Sequence, residues 1–351
     1  MKSKKKYLLS VIFFVILLVL TFYLLFKNND INDVITSLKN ISYEYIVLGL
    51  ILVLVYLFTE SIYIKIILKS LKQKIHLWQG VVYSCIEFYF SAITPSSTGG
   101  QPAQAYYMHK DGIPFTKSSV TLLLNTITFK LVLLIMGLFA VIFYPSLIFN
   151  NSTLFTIIFV FGVVVNIAMI IACLMLMYSK HWVKSIALFC INIGHKLHLI
   201  KNKDKKIESF YNHLAEYQES AKYIKDNLWG SVKVCLITFV QRLAMFSIAY
   251  VVYRAFGFNE HSYIELVVIQ LSIAIAIDSL PLPGGIGASE AMLILIYDKI
   301  FGENLSLPAM LVTRGLSYYS CLLISGIIVL LNHLRITFTK SKDKEELEEN
   351  K

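Results

Sequence analysis

An apolar run that should carry a helix across lipid is broken at Asp278-Ser279-Leu280-Pro281-Leu282-Pro283-Gly284-Gly285-Ile286-Gly287-Ala288-Ser289-Glu290, where two prolines, three glycines and two carboxylates intervene. Unpaired backbone N–H and C=O groups facing hydrocarbon cost several kcal/mol each, so irregular backbone at that depth survives only against protein or a water-filled cavity. The stretch therefore marks either a site inside a membrane or a helix end at its surface. The rest of the chain has to decide between the two.

Charged residues make up 15% of the chain and apolar ones 57%, whereas a soluble domain carries about 25% charged residues. Nearly every stretch belongs to an apolar run or a short connection, so the expected class is an all-α polytopic membrane protein. The formal charge of +10 follows the bias of Lys and Arg toward the cytoplasmic side and gives no reason to expect a nucleic-acid partner. Cys85, Cys173, Cys190, Cys235 and Cys321 form no paired motif and read as small buried hydrophobes. No cofactor and no metal is expected. His195, His198 and His213 lack the Cys or acid that would complete a ligand set.

Taken in order, Tyr7 to Phe26 follows a run of lysines and is too long for a signal h-region, so it reads as a retained anchor with its N-terminus in the cytoplasm. Tyr43 to about Ile64 returns and delivers Lys65, Lys69, Lys72 and Lys74 to the cytoplasmic side. Gly80 to Thr94 is shorter than the roughly 20 residues a span needs. It stops at Thr94-Pro95-Ser96-Ser97-Thr98-Gly99-Gly100-Gln101-Pro102, and Ala103 to Lys117 leads back. That pattern predicts a re-entrant helical hairpin. Ser119 to Tyr144 and Thr153 to Tyr178 are full spans, followed by a basic insert over 180–229 with nine lysines against five acids. Within it Ile207, Phe210, Leu214, Tyr217, Ala221, Ile224 and Leu228 recur at steps of three and four, an amphipathic helix lying on the membrane or packed under the bundle. Ser231 to Arg254 crosses outward, Ser262 to Leu280 and Ala288 to Ile300 flank the opening break, and Leu307 to Leu334 is the last span. Residues 1–335 thus form the transmembrane domain and 336–351 a charged, disordered, cytoplasmic tail.

The two breaks align. Gly99-Gly100-Gln101-Pro102-Ala103 matches Gly284-Gly285-Ile286-Gly287-Ala288, with Pro95 and Pro283 shortly before each. Loop charge places the first hairpin's entry in the cytoplasm and the second's outside, which is an inverted repeat of the kind that builds secondary transporters around a midplane site. Glu87, Lys130, Arg242, Asp278, Glu290 and Arg314 fall inside apolar segments, where an Arg, Lys or Asp costs about 2.5–3.5 kcal/mol even on mild insertion scales. They either lock the hairpins as ion pairs, Glu87 with Lys130 and Glu290 with Arg314, or line a cavity for an anionic headgroup. Glu60, near the inner end of its span, is expected at the interface.

Thr94 to Gln104, Pro281 to Glu290 and Arg314 in the last span resemble the lysylphosphatidylglycerol synthase transmembrane region family, the flippase part of the bacterial multiple peptide resistance factor and its stand-alone relatives. The resemblance covers roughly residues 7 to 335. It implies a multi-pass protein of the bacterial cytoplasmic membrane that moves an anionic or aminoacylated phospholipid between leaflets, so that cationic lipid outside repels cationic antimicrobial peptides. Lys130, Arg242 and Arg314 would hold the lipid phosphate, with Glu290, Asp278 and Glu87 paired to them or meeting a cationic headgroup. Gly99, Gly100, Gly284, Gly285 and Gly287, with Pro95, Pro102 and Pro283, would form the hairpin turns. The partners implied are the phospholipid and the membrane; a homodimer and a separate lipid-modifying synthase are compatible with it. The alternative is a phosphatidylglycerol lysyltransferase using lysyl-tRNA. It is disfavoured because only 17 residues follow Leu334, too few for a soluble synthase domain.

Overall fold

The computed structural model describes residues 35–36, 39, 41–94, 97–150, 152–196, 202–226, 228–278, 280, 285 and 287–349. The expected anchor Tyr7 to Phe26 lies outside them, as do Pro95, Pro281, Pro283, Gly284 and His198. The described residues contain helices and no strand. In chain order the helices are α1 (Tyr43–Ser70), α2 (Leu77–Ala92), α3 (Gly100–Lys110), α4 (Phe115–Phe143), α5 (Pro145–Phe149), α6 (Thr153–Tyr178), α7 (Lys180–Lys196), α8 (Lys203–Asp226), α9 (Leu228–Ala255), α10 (Tyr263–Ile277), α11 (Ala288–Phe301), α12 (Glu303–Arg314) and α13 (Cys321–Glu349), with a π-helical turn, Gly315–Ser320, joining the last two.

Five helices are long and apolar enough to span a membrane: α1, α4, α6, most of α9, and the continuous rod Glu303–Arg335. In α6 the best window has a mean hydropathy of 2.9, yet only 22% of it is buried within the protein. Leu154, Ile157, Phe161 and Val164 stand more than half exposed on its outer face. A soluble protein does not expose a contiguous apolar surface of that extent; lipid is the medium that it fits. The chain is therefore an all-α, multi-pass membrane protein.

The shorter helices come in two pairs. At 1.5 Å per residue, α2 and α3 reach about 24 and 17 Å and α10 and α11 about 22 and 21 Å, all short of the ~30 Å hydrocarbon core. The arms α2 and α3 pack on each other, as do α10 and α11. The return arm of the first pair ends earlier than its charge pattern suggests. Gly112 adopts φ +86° and Pro114 caps α4, so Lys117 already belongs to the next span. Ser262 and Glu265 cap α10 reciprocally, the serine hydroxyl accepting from Glu265 N at 3.3 Å and the carboxylate from Ser262 N at 2.8 Å. The connection between α9 and α10 is tied down by Tyr253, whose hydroxyl accepts from the N–H groups of Glu260 and His261 and whose ring packs on Phe258 and Phe301.

The amphipathic helix of the basic insert is α8. It is packed under the bundle: Ala221 is buried, and the Tyr217 hydroxyl donates to the Leu176 carbonyl of α6 at 2.7 Å. Burial raises the Tyr217 pKa to about 12, so the phenol stays a donor at any physiological pH. The backbone of α13 is helical to Glu349, beyond Leu334, where a structureless tail is expected. Lys342 to Glu349 are almost all good helix formers following directly on a formed helix, so propagation needs no new nucleus.

Small residues set the spacing of α6 and α10. A Cβ built on Gly162 would stand 2.1 Å from the Ile275 carbonyl oxygen, a backbone atom that cannot swing away. Gly162→Ala is expected to destabilise the protein by about 1–3 kcal/mol through overpacking, read as a lower Tm of purified protein in detergent. Gly315→Ala meets nothing within 4 Å and should leave the Tm unchanged or higher; equal behaviour of the two variants would refute the close-approach argument.

Candidate functional site

Backbone strain and glycine placement coincide at both breaks. Thr94 organises the first: its hydroxyl donates to the Phe90 carbonyl at 2.6 Å and accepts from Gly99 N at 2.9 Å. Ser97 sits at φ +53°, a left-handed conformation uncommon for a residue with a side chain. Gly100 starts α3 so close to α2 that a Cβ would meet the Ser91 hydroxyl at 2.1 Å and the Glu87 carbonyl oxygen at 2.6 Å. At the second break Gly285 and Gly287 take φ +68° and +85°, which only glycine adopts freely.

Glu290 holds the second break together. Its Oε2 accepts from Gly287 N at 2.7 Å and from the Ser289 hydroxyl at 3.0 Å, capping the start of α11 where the helix dipole favours negative charge. Its Oε1 accepts from Arg314 Nε at 2.8 Å. The carboxylate is 2% exposed, with a partner on each oxygen. The Arg314 guanidinium lies over the Tyr318 ring, 4.3 Å from its centroid, and the Tyr318 hydroxyl donates to the Ala92 carbonyl at 3.2 Å. Ala92 ends α2, whose last carbonyls have no partner within the helix. One chain of contacts thus runs from the second hairpin through the last span to the first.

Between the breaks lies a cavity of about 290 Å³. Ser91, Ala92 and Ser97 come to it from the first hairpin, Asp278, Gly285 and Ser289 from the second, and Arg242, Arg314 and Tyr318 from the spans. Ser289, in the first turn of α11, borders this space, and the first break reaches it through Ser97, ahead of α3.

Of the six charged residues singled out in the sequence, Arg242, Arg314 and Asp278 line this cavity. The other three stand behind it, each holding a residue that does. Lys130 is paired with Asp278, Glu290 with Arg314, and Glu87 Oε1 accepts from the Ser91 hydroxyl at 3.0 Å. Lys130 therefore pairs with Asp278 and not with Glu87, since Asp278, at the very end of α10, projects toward α4. Glu290 does not border the space between the turns, because capping α11 draws its carboxylate inward.

Arg242 differs from the other two cations. Its guanidinium lies 4.2 Å from the Phe129 centroid and 5.1 Å from that of Tyr56, and it donates to the Gln241 side-chain oxygen at 3.1 Å. No ion pair among the described residues includes it, and its buried Nε has no hydrogen-bond partner. It is a cation opening onto a cavity with donors to spare. Among the described residues no group of three His, Cys, Asp or Glu could hold a metal ion.

The family model of the lysylphosphatidylglycerol synthase TM region matches residues 7–325, which include both breaks, the cavity and Arg314. The chain belongs to this family. No curated protein sequence matches it. The cavity has further lining residues that charge and motif do not single out. Tyr318 and Ser97 carry no charge, and the π turn of Gly315–Ser320 that follows Arg314 directly has no sequence signature beyond a mid-span glycine. Such turns recur at functional sites. Glu60 was expected at the interface; it is instead 2% exposed in the bundle, because α1 packs along α9 and delivers it to Gln241, whose side-chain nitrogen donates to Glu60 Oε2 at 3.3 Å.

Removing one partner of the Glu290–Arg314 pair leaves a buried charge uncompensated, which costs about 3–5 kcal/mol. Glu290→Ala is expected to lose that much in denaturant unfolding. Glu290→Leu combined with Arg314→Met should recover most of it, and additive losses in the double variant would rule out the coupling.

Proposed function

We propose that the chain is a lipid transporter of the flippase type, which carries the headgroup of an anionic or aminoacylated phospholipid between the leaflets of the bacterial cytoplasmic membrane through the cavity between the two breaks. The observation that carries this reading is Arg242, a guanidinium facing the cavity with no carboxylate within ion-pair distance among the described residues. A planar guanidinium offers paired N–H donors that match two oxygens of a phosphodiester. Ser289, in the first turn of α11, borders the cavity, so the start of that helix adds positive potential there. Asp278, half of an ion pair with Lys130 and still open to the cavity, can exchange that lysine for the ammonium of an aminoacyl headgroup. The acyl chains stay in lipid, and the polar part alone passes the protein.

In this reading the hairpins enter from opposite faces, both termini are cytoplasmic, and the outward delivery of cationic lipid contributes to resistance against cationic antimicrobial peptides. The family membership and the helices of spanning length support a membrane protein of this kind; the transport activity is our inference from the cavity's charge.

The test is reconstitution in vesicles holding headgroup-labelled phosphatidylglycerol or lysylphosphatidylglycerol, with the label's exposure to a membrane-impermeant quencher followed in time. Wild-type protein should speed exchange over protein-free vesicles. A hydrogen bond to a charged group is worth about 1.5–3 kcal/mol, so Arg242→Ala is expected to lower the rate at least about tenfold, with Arg242→Lys in between. Exchange no faster than in empty vesicles for either lipid, or an undiminished rate in a well-folded Arg242→Ala, would dispose of the proposal.

A further inference from the structure

Behind Arg242 lies a group of side chains that the lipid reading does not use. Glu60, on α1, is 2% exposed. Its Oε2 accepts from Gln241 at 3.3 Å, the Ser84 and Tyr63 hydroxyls are its other polar neighbours, and no ion pair among the described residues includes it. The titratable and charged groups facing it are Tyr56 and Tyr63 of its own helix, Glu87 and Cys85 of α2, Arg242 of α9 and Cys321 of α13. Lys130 on α4 is tied to Asp278, and Tyr318 of the π turn to Ala92.

We propose that Glu60 and Glu87, sharing the field of Arg242, form a proton-binding site whose occupancy is linked to the binding of a phosphodiester at Arg242, making the proton the coupling ion of transport. The proposal rests on the transport reading above and goes beyond it by naming what drives the movement. Its physical basis is a charge count. Buried Glu60 and half-buried Glu87 share one guanidinium, so the fully ionised group carries one surplus negative charge with little access to water. A buried carboxylate without a cation takes up a proton sooner than remain ionised, and a single proton makes the group neutral. Intramembrane acids of this kind are the usual elements of proton relays.

The linkage follows from position. Arg242 belongs to both sets: Gln241 bridges it to Glu60, its field reaches Glu87, and its guanidinium lines the cavity. A phosphodiester on the guanidinium adds a second negative charge and withdraws the cation from the carboxylates, which raises their hold on the proton. By reciprocity a bound proton frees Arg242 for the phosphodiester to the same extent. Lipid and proton then bind together, and a proton gradient across the membrane biases the direction in which the headgroup moves. Gln241 is placed to register the exchange, since its nitrogen contacts Glu60 and its oxygen contacts Arg242.

Two measurements on the full chain test this. The first is infrared spectroscopy of the purified protein at mildly alkaline pH, where exposed carboxylates are ionised. The C=O stretch of a protonated carboxylic acid should be present and should vanish in Glu60→Gln or Glu87→Gln. Its absence from the wild type overturns the proposal, and the wild-type spectrum decides this even should both variants fail to fold. The second adds short-chain phosphatidylglycerol to weakly buffered protein carrying a pH-sensitive dye in solution. Wild type should take up protons on lipid addition and Glu60→Gln should not, whatever its rate of lipid exchange. Lipid exchange by the wild type without proton uptake, and indifferent to an imposed pH gradient, removes the coupling while leaving the transport reading intact. A protonated carboxyl in a protein that exchanges no lipid removes the transport reading and with it the coupling.

Discussion

The contact between Glu290 and Arg314 carries more of the architecture than its two side chains suggest. The carboxylate caps α11, and the same carboxylate fixes the guanidinium of Arg314, the last of the 12 residues of α12. A bare arginine there would cost several kcal/mol; paired, it can be held with one edge toward a cavity and its face on Tyr318. Since Tyr318 reaches the last carbonyl of α2, the geometry of the second break is transmitted to the end of the first. Neither hairpin is braced by its own residues alone.

The same economy appears at Asp278 and Ser91. Each is held from behind, Asp278 by Lys130 of α4 and Ser91 by Glu87, one turn earlier on its own helix. A polar cavity inside a membrane protein needs this arrangement, because a side chain that faces water on one side and an apolar bundle on the other has few rotamers that satisfy both. The π turn after Arg314 fits the same requirement. Arg314, Ser317 and Tyr318, three and four residues apart across it, all border the cavity.

The organisation of the fold was legible because lipid imposes a strict rule. Length and hydropathy identify the full spans, and a run too short to cross, ending in Pro and Gly, identifies each hairpin arm. Gly112 and Pro114 blurred one boundary, since an apolar pattern does not show where a turn interrupts it. The charged side chains were visible as costs, but a cost does not name its partner. Lys130 lies in a different element from both Glu87 and Asp278, and only the angle at which α10 ends selects Asp278. Glu60 escaped for a related reason. Its position near the end of the apolar run Tyr43 to Ile64 suggests the interface, and its burial depends on how closely α1 and α9 pack. Tyr318 and the π turn leave no charge or motif to find.

The arrangement of charge around the cavity also bears on why three cations are built three ways. Arg314 is neutralised by a carboxylate that cannot leave, because Glu290 is committed to the cap of α11. Lys130 is neutralised by a carboxylate that can turn elsewhere, because Asp278 caps α10 at its C-terminal end, where the helix dipole disfavours negative charge. Arg242 has no carboxylate in contact and rests on two aromatic rings, whose attraction for a cation is real but worth only about 0.5–2 kcal/mol. The three thus form a series from fixed to exchangeable to free. A phosphodiester entering the cavity gains most at Arg242, where it breaks no ion pair, and an ammonium gains most at Asp278, where it displaces only a lysine. A headgroup carrying both charges would find both complements in the same space, which a scaffold that merely closed its buried charges into pairs would not provide.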